Sequence, residues 1–300
     1  MTFAGSRELA GINARTHPIF WMIISVLLLA VGISAIFVDV LVEMRTATKE
    51  RASDVANHLA AAIDNDVQRN IESIDLSLQA VVEGLQRPDI NQLAPDLRQV
   101  VLFDRSATAR HLGLIIVTDE FGNVRLDSRT TNPQPANAAD RDYFQIHKNN
   151  DNVGLYIGHP SLGRLTGLPF IGISRRLSHS DGAFAGVVAA SLQLQYFRNL
   201  FANIALGPGS NVTLGSTDGT ILMRWPYDPK FIGLKTKGAE VYKQLARARM
   251  GQFEATTTID GVHRLVVYRQ IGNLPLVIGV GQSTTEIYSQ WRQYAFMLST

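Results

Sequence analysis

Residues 117–124 read VTDEFGNV, and almost a hundred positions later residues 216–221 read STDGTI. Each is an apolar strand end, then Thr-Asp, then a glycine turn, then a new β-branched start. Turn chemistry of this kind between apolar runs predicts two short strands joined by a tight reversal. The echo continues outward. Asp181-Gly182 lies between the runs Pro169 to Leu177 and Phe184 to Leu192, and Asp260-Gly261 lies between Phe253 to Ile259 and Val262 to Ile271. Asp-Gly flanked by apolar runs is a strong hairpin signal. Leu112 to Thr118, Val124 to Leu126 and Gly154 to His159 complete the first set of strands, and Leu276 to Gly281 mirrors Val187 to Leu192. Two similar modules in tandem account for this pattern better than one large sheet. Between the strands of the first module, Asp140 to Lys148 (DRDYFQIHK) predicts a short helix with Asp140 as its cap. Leu194 to Leu206 reads as an amphipathic segment joining the modules.

N-terminal to the modules the period changes. Leu59, Ile63, Val67, Ile71, Ile74, Leu78, Val81 and Leu85 recur at intervals of three or four, and the first proline after them is Pro88. That spacing predicts one long helix from Val40 to Leu85, about 68 Å in length. Such a helix either lies wholly against its own domain or emerges as a dimerising stalk. Before it, residues 18–38 (PIFWMIISVLLLAVGISAIFV) carry no ionisable side chain and as a helix would span about 31 Å, the thickness of a bilayer core. A cleaved signal peptide is the competing reading, since Ala30-Val31-Gly32 has the small-x-small form, but the apolar run continues past it to Val38. Arg7 and Arg15 precede the run while Asp39 and Glu43 follow it, which places the N-terminus in the cytoplasm and the rest outside. After Arg292 the chain reads QYAFMLST, with Trp291 and Tyr294 of the kind found at headgroup level. This is either the end of a soluble helix or the beginning of a second membrane segment.

Composition agrees with this layout and removes other classes. The 300 residues are 46% hydrophobic but only 18% charged, and the apolar segment explains the shortage of charge. With no cysteine, disulfides, thiolate metal sites and cysteine nucleophiles are excluded. A net charge of +2 gives no footprint for nucleic acid. No glycine-rich phosphate loop, G-x-S-x-G elbow or H-E-x-x-H occurs, and the seven histidines show no metal spacing, so neither a catalytic site, a metal nor a cofactor is expected. Asp64 and Asp66, two apart on the long helix, do not face one site.

The long helix leaving a membrane, the two PAS-like modules and the stretches DRDYFQIH (140–147), GLYIGHP (154–160), ISRRL (173–177) and DGAFAGVV (181–188) resemble the double Cache sensor family of bacterial receptors. The resemblance covers roughly residues 40 to 290. It implies an α+β fold in which each module has a five- or six-stranded antiparallel sheet. The expected layout is a cytoplasmic tail at 1–17, a transmembrane helix at 18–40, a stalk helix at 41–90, a membrane-distal module at 91–193, a membrane-proximal module at 194–282, and an exit helix at 283–300 leading to a second membrane segment. The resemblance further implies a small-molecule pocket in the distal module. Arg141, Tyr143 and Phe144 fall on its short helix, and in amino-acid-binding members an Arg at the matching position pairs with the ligand carboxylate, for which a planar guanidinium is suited. Tyr156 falls where the family often places an aromatic hydroxyl. His147, His159 and Arg164 make the neighbourhood basic, together with Arg175 or Arg176, of which only one can face the pocket because neighbours on a strand point to opposite faces. The bland readings are a turn role or an Asp140 or Asp142 pairing for Arg141, core positions for Tyr143 and Phe144, and a surface loop for His159.

Two departures from the amino-acid-binding pattern stand out. Ala136 occupies the place of a Tyr, and Ser191 that of the Asp that would hold an ammonium group. A simple carboxylate or other small anion is therefore the expected ligand. The leading expectation is the sensor half of a homodimeric receptor in the bacterial inner membrane, its periplasmic part signalling to a diguanylate cyclase or, second, to a histidine kinase. A membrane-tethered binding module acting alone is the rival, and a periplasmic hydrolase stands behind both.

Overall fold

The structure, a computed structural model, describes residues 18–104, 112–204, 206–236 and 238–299. It divides into two compact units, one of residues 1–50 with 288–300 and the other of residues 51–287. The helix α1 (Pro18–Leu85) contributes to both and is continuous for 68 residues, so the apolar segment and the stalk form a single element. In the first unit, the side chains of Trp21 to Val42 are largely exposed, and the described residues hold one helix long and apolar enough to cross a bilayer, with a mean hydropathy of 2.6 over its most apolar stretch. The C-terminal helix α7 (Ser289–Ser299) belongs to the same unit. Trp291 Nε1 donates to the Leu41 carbonyl at 2.7 Å, and the Arg45 guanidinium lies over the rings of Tyr288 and Trp291.

The second unit holds two five-stranded antiparallel sheets of the same topology. The first consists of β1 (Leu112–Thr118), β2 (Val124–Asp127), β3 (Tyr156–Leu162), β4 (Pro169–Ser178) and β5 (Phe184–Gln193), in the order β2-β1-β5-β4-β3. The second consists of β6 (Asn211–Ser216), β7 (Ile221–Trp225), β8 (Met250–Thr256), β9 (His263–Gln270) and β10 (Leu276–Ser283), in the order β7-β6-β10-β9-β8. The repeated Thr-Asp-Gly turns explain how each module begins. Asp119 Oδ1 accepts from the backbone N–H groups of Phe121 and Asn123, and Asp218 Oδ1 from that of Thr220. Gly122 and Gly219 take positive φ (86° and 98°), the region where a side chain is strained.

One face of each sheet contributes to a core shared with α1. The stripe Ala56, Ala60, Ile63, Val67, Ile71, Ile74, Leu78 and Val81 is almost fully buried, together with Ile115, Ile173 and Val188 of the first sheet and Leu214, Val267 and Ile278 of the second. Polar residues beside the stripe add specific ties. Arg175 and Asp75 form a bidentate pair, Tyr196 donates to Asp66 at 2.6 Å, and the Gly272 N–H donates to Asp64 at 3.1 Å. Asp64 and Asp66 thus serve different partners. The opposite faces carry short helices: α3 (Asp142–Asn149) on the first sheet and α5 (Glu240–Leu245) on the second. Arg141 stands at the N-cap position of α3, one residue later than expected, without a side-chain capping bond, and the Asp140 carboxylate is paired with Arg164 instead. Between the modules runs α4 (Leu194–Ala202), which buries Leu194, Tyr196, Phe197 and Phe201.

Candidate functional site

The first module places a cavity of about 540 Å³, partly open to solvent, between its sheet, the start of α3 and the loop 163–168. Its floor is apolar, made by Leu114, Ile116, Phe170 and Ala189, and its polar groups come from Asn137, Arg141, Arg164, Thr166 and Ser191. No carboxylate is among the lining residues. Ala136 also lines it, so the small side chain at this position widens the space.

Of the residues singled out from the sequence, the cavity brings together Arg141, Tyr143, Arg164 and Ser191. Arg141 Nη2 donates to the Leu162 carbonyl at 2.8 Å, which leaves most of the five guanidinium N–H groups for other acceptors. Tyr143 is buried, meets Phe170 edge-on, and has its hydroxyl pKa pushed up to about 12 by burial. Ser191 Oγ accepts from the Leu114 N–H at 2.9 Å, tying β5 to β1 at the cavity floor.

The others lie elsewhere. Phe144 is core, edge-on to Phe184. His147 is fully buried, its Nε2 3.0 Å from Ser174 Oγ and its Nδ1 without a hydrogen-bond partner; burial first, then the nearby Arg176 and Arg175 charges, lowers its pKa to about 4. Tyr156 donates to Asp142 at 3.3 Å, and burial next to that carboxylate raises its pKa. Arg175 points to the α1 face and is spent on Asp75, whereas Arg176 points to the α3 face and donates to the His147 carbonyl. His159 bridges the modules, with Nδ1 3.0 Å from Asp142 and Nε2 3.0 Å from Asp218.

Asn137, Thr166 and Phe170 are lining residues that the sequence reading passed over. The only local signal for them is the loop GRLTGL (163–168), whose glycines allow a tight return between β3 and β4. Arg164 on this loop grips Asp140 through both guanidinium nitrogens and also donates to the Asn137 carbonyl, so the loop is fastened to the segment that leads into α3. That hydrogen bonding holds the Asp140 carboxyl below its usual range.

A family profile described as "Cache domain" matches residues 42–291, most of the chain. The chain belongs to the Cache domain family. Solved structures agree in fold. The extracellular domain of a candidate histidine kinase, rpHK1S-Z16, is 24% identical, with a TM-score of 0.66 over 81% of this chain and 98% of that one. The periplasmic sensory domain of the Campylobacter jejuni chemoreceptor Tlp1 is 12% identical, with a TM-score of 0.65 over 80% and 98%. The ligand-binding domain of the Pseudomonas fluorescens chemoreceptor CtaA, solved with L-isoleucine, is 20% identical, with a TM-score of 0.59 over 82% and 98%. No curated protein sequence matches the chain with significance. In this Cache fold both modules repeat one sheet order, and the cavity above lies on the α3 side of the first.

Proposed function

We propose that this Cache protein is the extracytoplasmic sensor region of a receptor of the bacterial inner membrane, and that it takes a small carboxylate in the cavity of its first, membrane-distal module. The observation that carries this is Arg141 on the wall of a cavity with an apolar floor and no carboxylate among its lining residues. A carboxylate ligand gains two parallel charge-assisted hydrogen bonds from the guanidinium. An amino acid would gain the same bonds but leave its ammonium without a counter-charge. The chemoreceptor structures solved with L-isoleucine and with asparagine make amino acids the second reading.

A ligand held by Arg141 bears on three connected parts: the loop fastened by Arg164, the α3 start, and through Asp142 the bridge to Asp218 of the second module. It changes the receptor only by its different affinity for two arrangements of these parts. Signal then passes along α1, which pairs with a second copy; the outward-facing Val55 and Leu76, three heptads apart, support that pairing. The exit helix continues into a second membrane span, and the output is a diguanylate cyclase, supported by the resemblance of the first module, or a histidine kinase, supported by the rpHK1S-Z16 likeness. The test is thermal unfolding of the full chain in detergent with propionate, lactate and L-isoleucine. A carboxylate should raise the midpoint, with Arg141→Ala weakening its binding by about 100-fold. Equal stabilisation of wild type and Arg141→Ala would refute the anchor, and a stronger effect of L-isoleucine would select the amino-acid reading.

A further inference from the structure

The second module has its own cavity, about 740 Å³ with the open space at its mouth included, between the second sheet and α5. Ile221, Phe253, Val266 and Val277 give it an apolar side, Asn211, Thr213, Thr236 and Thr256 to Thr258 add polar groups, and Arg224 is its buried cation. The charges around that cation do not balance locally. Arg224 and Arg264 are 4% and 2% exposed, and both are held by a single carboxylate, Asp260. Arg264 takes both carboxylate oxygens, at 2.7 and 2.8 Å, and Arg224 Nη2 shares one of them at 2.7 Å. Arg224 Nη1 donates to Thr213 Oγ1 at 3.1 Å, and among the described residues Nε has no hydrogen bond. Glu240, the acidic residue on the wall, is bonded to Lys243 and Gln244 of its own helix. Burying a net positive charge is costly unless an anion completes it.

We infer that the second cavity is a binding site for a carboxylate with an apolar body, aliphatic or aromatic, whose head completes the Arg224–Asp260–Arg264 cluster and whose body fills the space beside Phe253. The guanidinium of Arg224 offers charge-assisted donors to the head, and Ile221, Phe253, Val266 and Val277 supply apolar surface for the body, while the threonine hydroxyls line the remainder.

The inference is independent of the ligand in the first module, and its test keeps the two apart. The full chain carrying Arg141→Ala is titrated with benzoate in detergent by calorimetry. Gly279 lies on the cavity wall, and a Cβ there would meet only the Thr213 carbonyl, at 3.9 Å. Gly279→Leu therefore enters the cavity from its wall without a backbone clash at its Cβ, and it should abolish benzoate binding. Arg224→Lys keeps the charge but loses the fork, and it should weaken binding about tenfold. Absence of benzoate binding in the Arg141→Ala chain, or binding that survives Gly279→Leu unchanged, overturns the inference.

Discussion

The two modules share one sheet order and one opening turn, yet they use their arginines in opposite ways. In the first, Arg141 and Arg164 stand at the mouth of the cavity, and the Arg164–Asp140 pair is half exposed. In the second, Arg224 and Arg264 are buried and locked on Asp260. A cation at a wet mouth can exchange partners at little cost, whereas a buried one is held by the cost of leaving it unpaired. The scaffold is duplicated but the electrostatics are not: among the described residues Arg141 of the first module meets no carboxylate, whereas Arg224 and Arg264 of the second share one carboxylate and are left a charge short.

Replacing the hairpin aspartates breaks this contrast most directly. Asp260→Asn removes the one charge that two buried guanidiniums share, and it should destabilise the second unit by about 3–5 kcal/mol. The matching Asp181→Asn should cost under about 0.5 kcal/mol, because Asp181 only accepts from the exposed Ala183 N–H, which an amide oxygen can also do. Urea unfolding of the full chain in detergent measures both, and similar costs would remove the distinction between the hairpins.

Acid provides the next test. His147 is buried neutral in the first module, with its pKa lowered to about 4 from an unfolded value near 6.5. Between these values the unfolded chain binds the extra proton. Stability is therefore complete above about pH 6.5 and falls as the pH drops toward 4, by a total on the order of 3 kcal/mol. His147→Leu should flatten that slope, while α5 (EVYKQL), on the corresponding face of the second module, has no histidine to produce one. An unchanged slope in unfolding midpoints between these pH values would remove His147 as its source.

The ties to α1 differ between modules more modestly. Arg175 on β4 pairs bidentately with Asp75 and is a quarter exposed, while Arg269 on β9 reaches Asp64 only at 3.8 Å. Coupling energies from double-mutant cycles should be about 1–2 kcal/mol for Arg175–Asp75 and under about 0.5 kcal/mol for Arg269–Asp64.

How much of this can be read in the chain follows from the range of the interactions. Local patterns carry the strands, the repeated turns and the α1 stripe, since side-chain period and turn glycines act over a few residues. The face taken by Arg175 is not local. Strand alternation says that Arg175 and Arg176 part company, but which of them meets α1 depends on Asp75, a hundred positions away. Nor does spacing reveal that the Asp140 carboxylate pairs with Arg164, 24 positions away, rather than capping α3. Of the chosen residues, Arg141, Tyr143, Arg164 and Ser191 meet at the cavity, and the others follow partners that no spacing reveals.

The smallest effect lies at the contact between the modules. His159 has a carboxylate at each ring nitrogen, Asp142 on one side and Asp218 on the other. Only an imidazolium can donate to both; a neutral ring turns a lone pair toward one of them. Asp218 is ready for the role: burial alone would raise its pKa, but hydrogen bonds from Thr220, His159 and Ser216 hold it well below the usual carboxylate range. Because the histidine is partly exposed, the bridge adds little stability. A cycle of His159→Gln and Asp218→Asn should give a coupling of about 0.5 kcal/mol. Asp142 is unsuitable for the cycle, since it also holds Tyr156 and the His159 N–H. A coupling indistinguishable from zero would mean that the modules are joined by packing alone, and that the first module reaches the second through α1 and α4 rather than through this histidine.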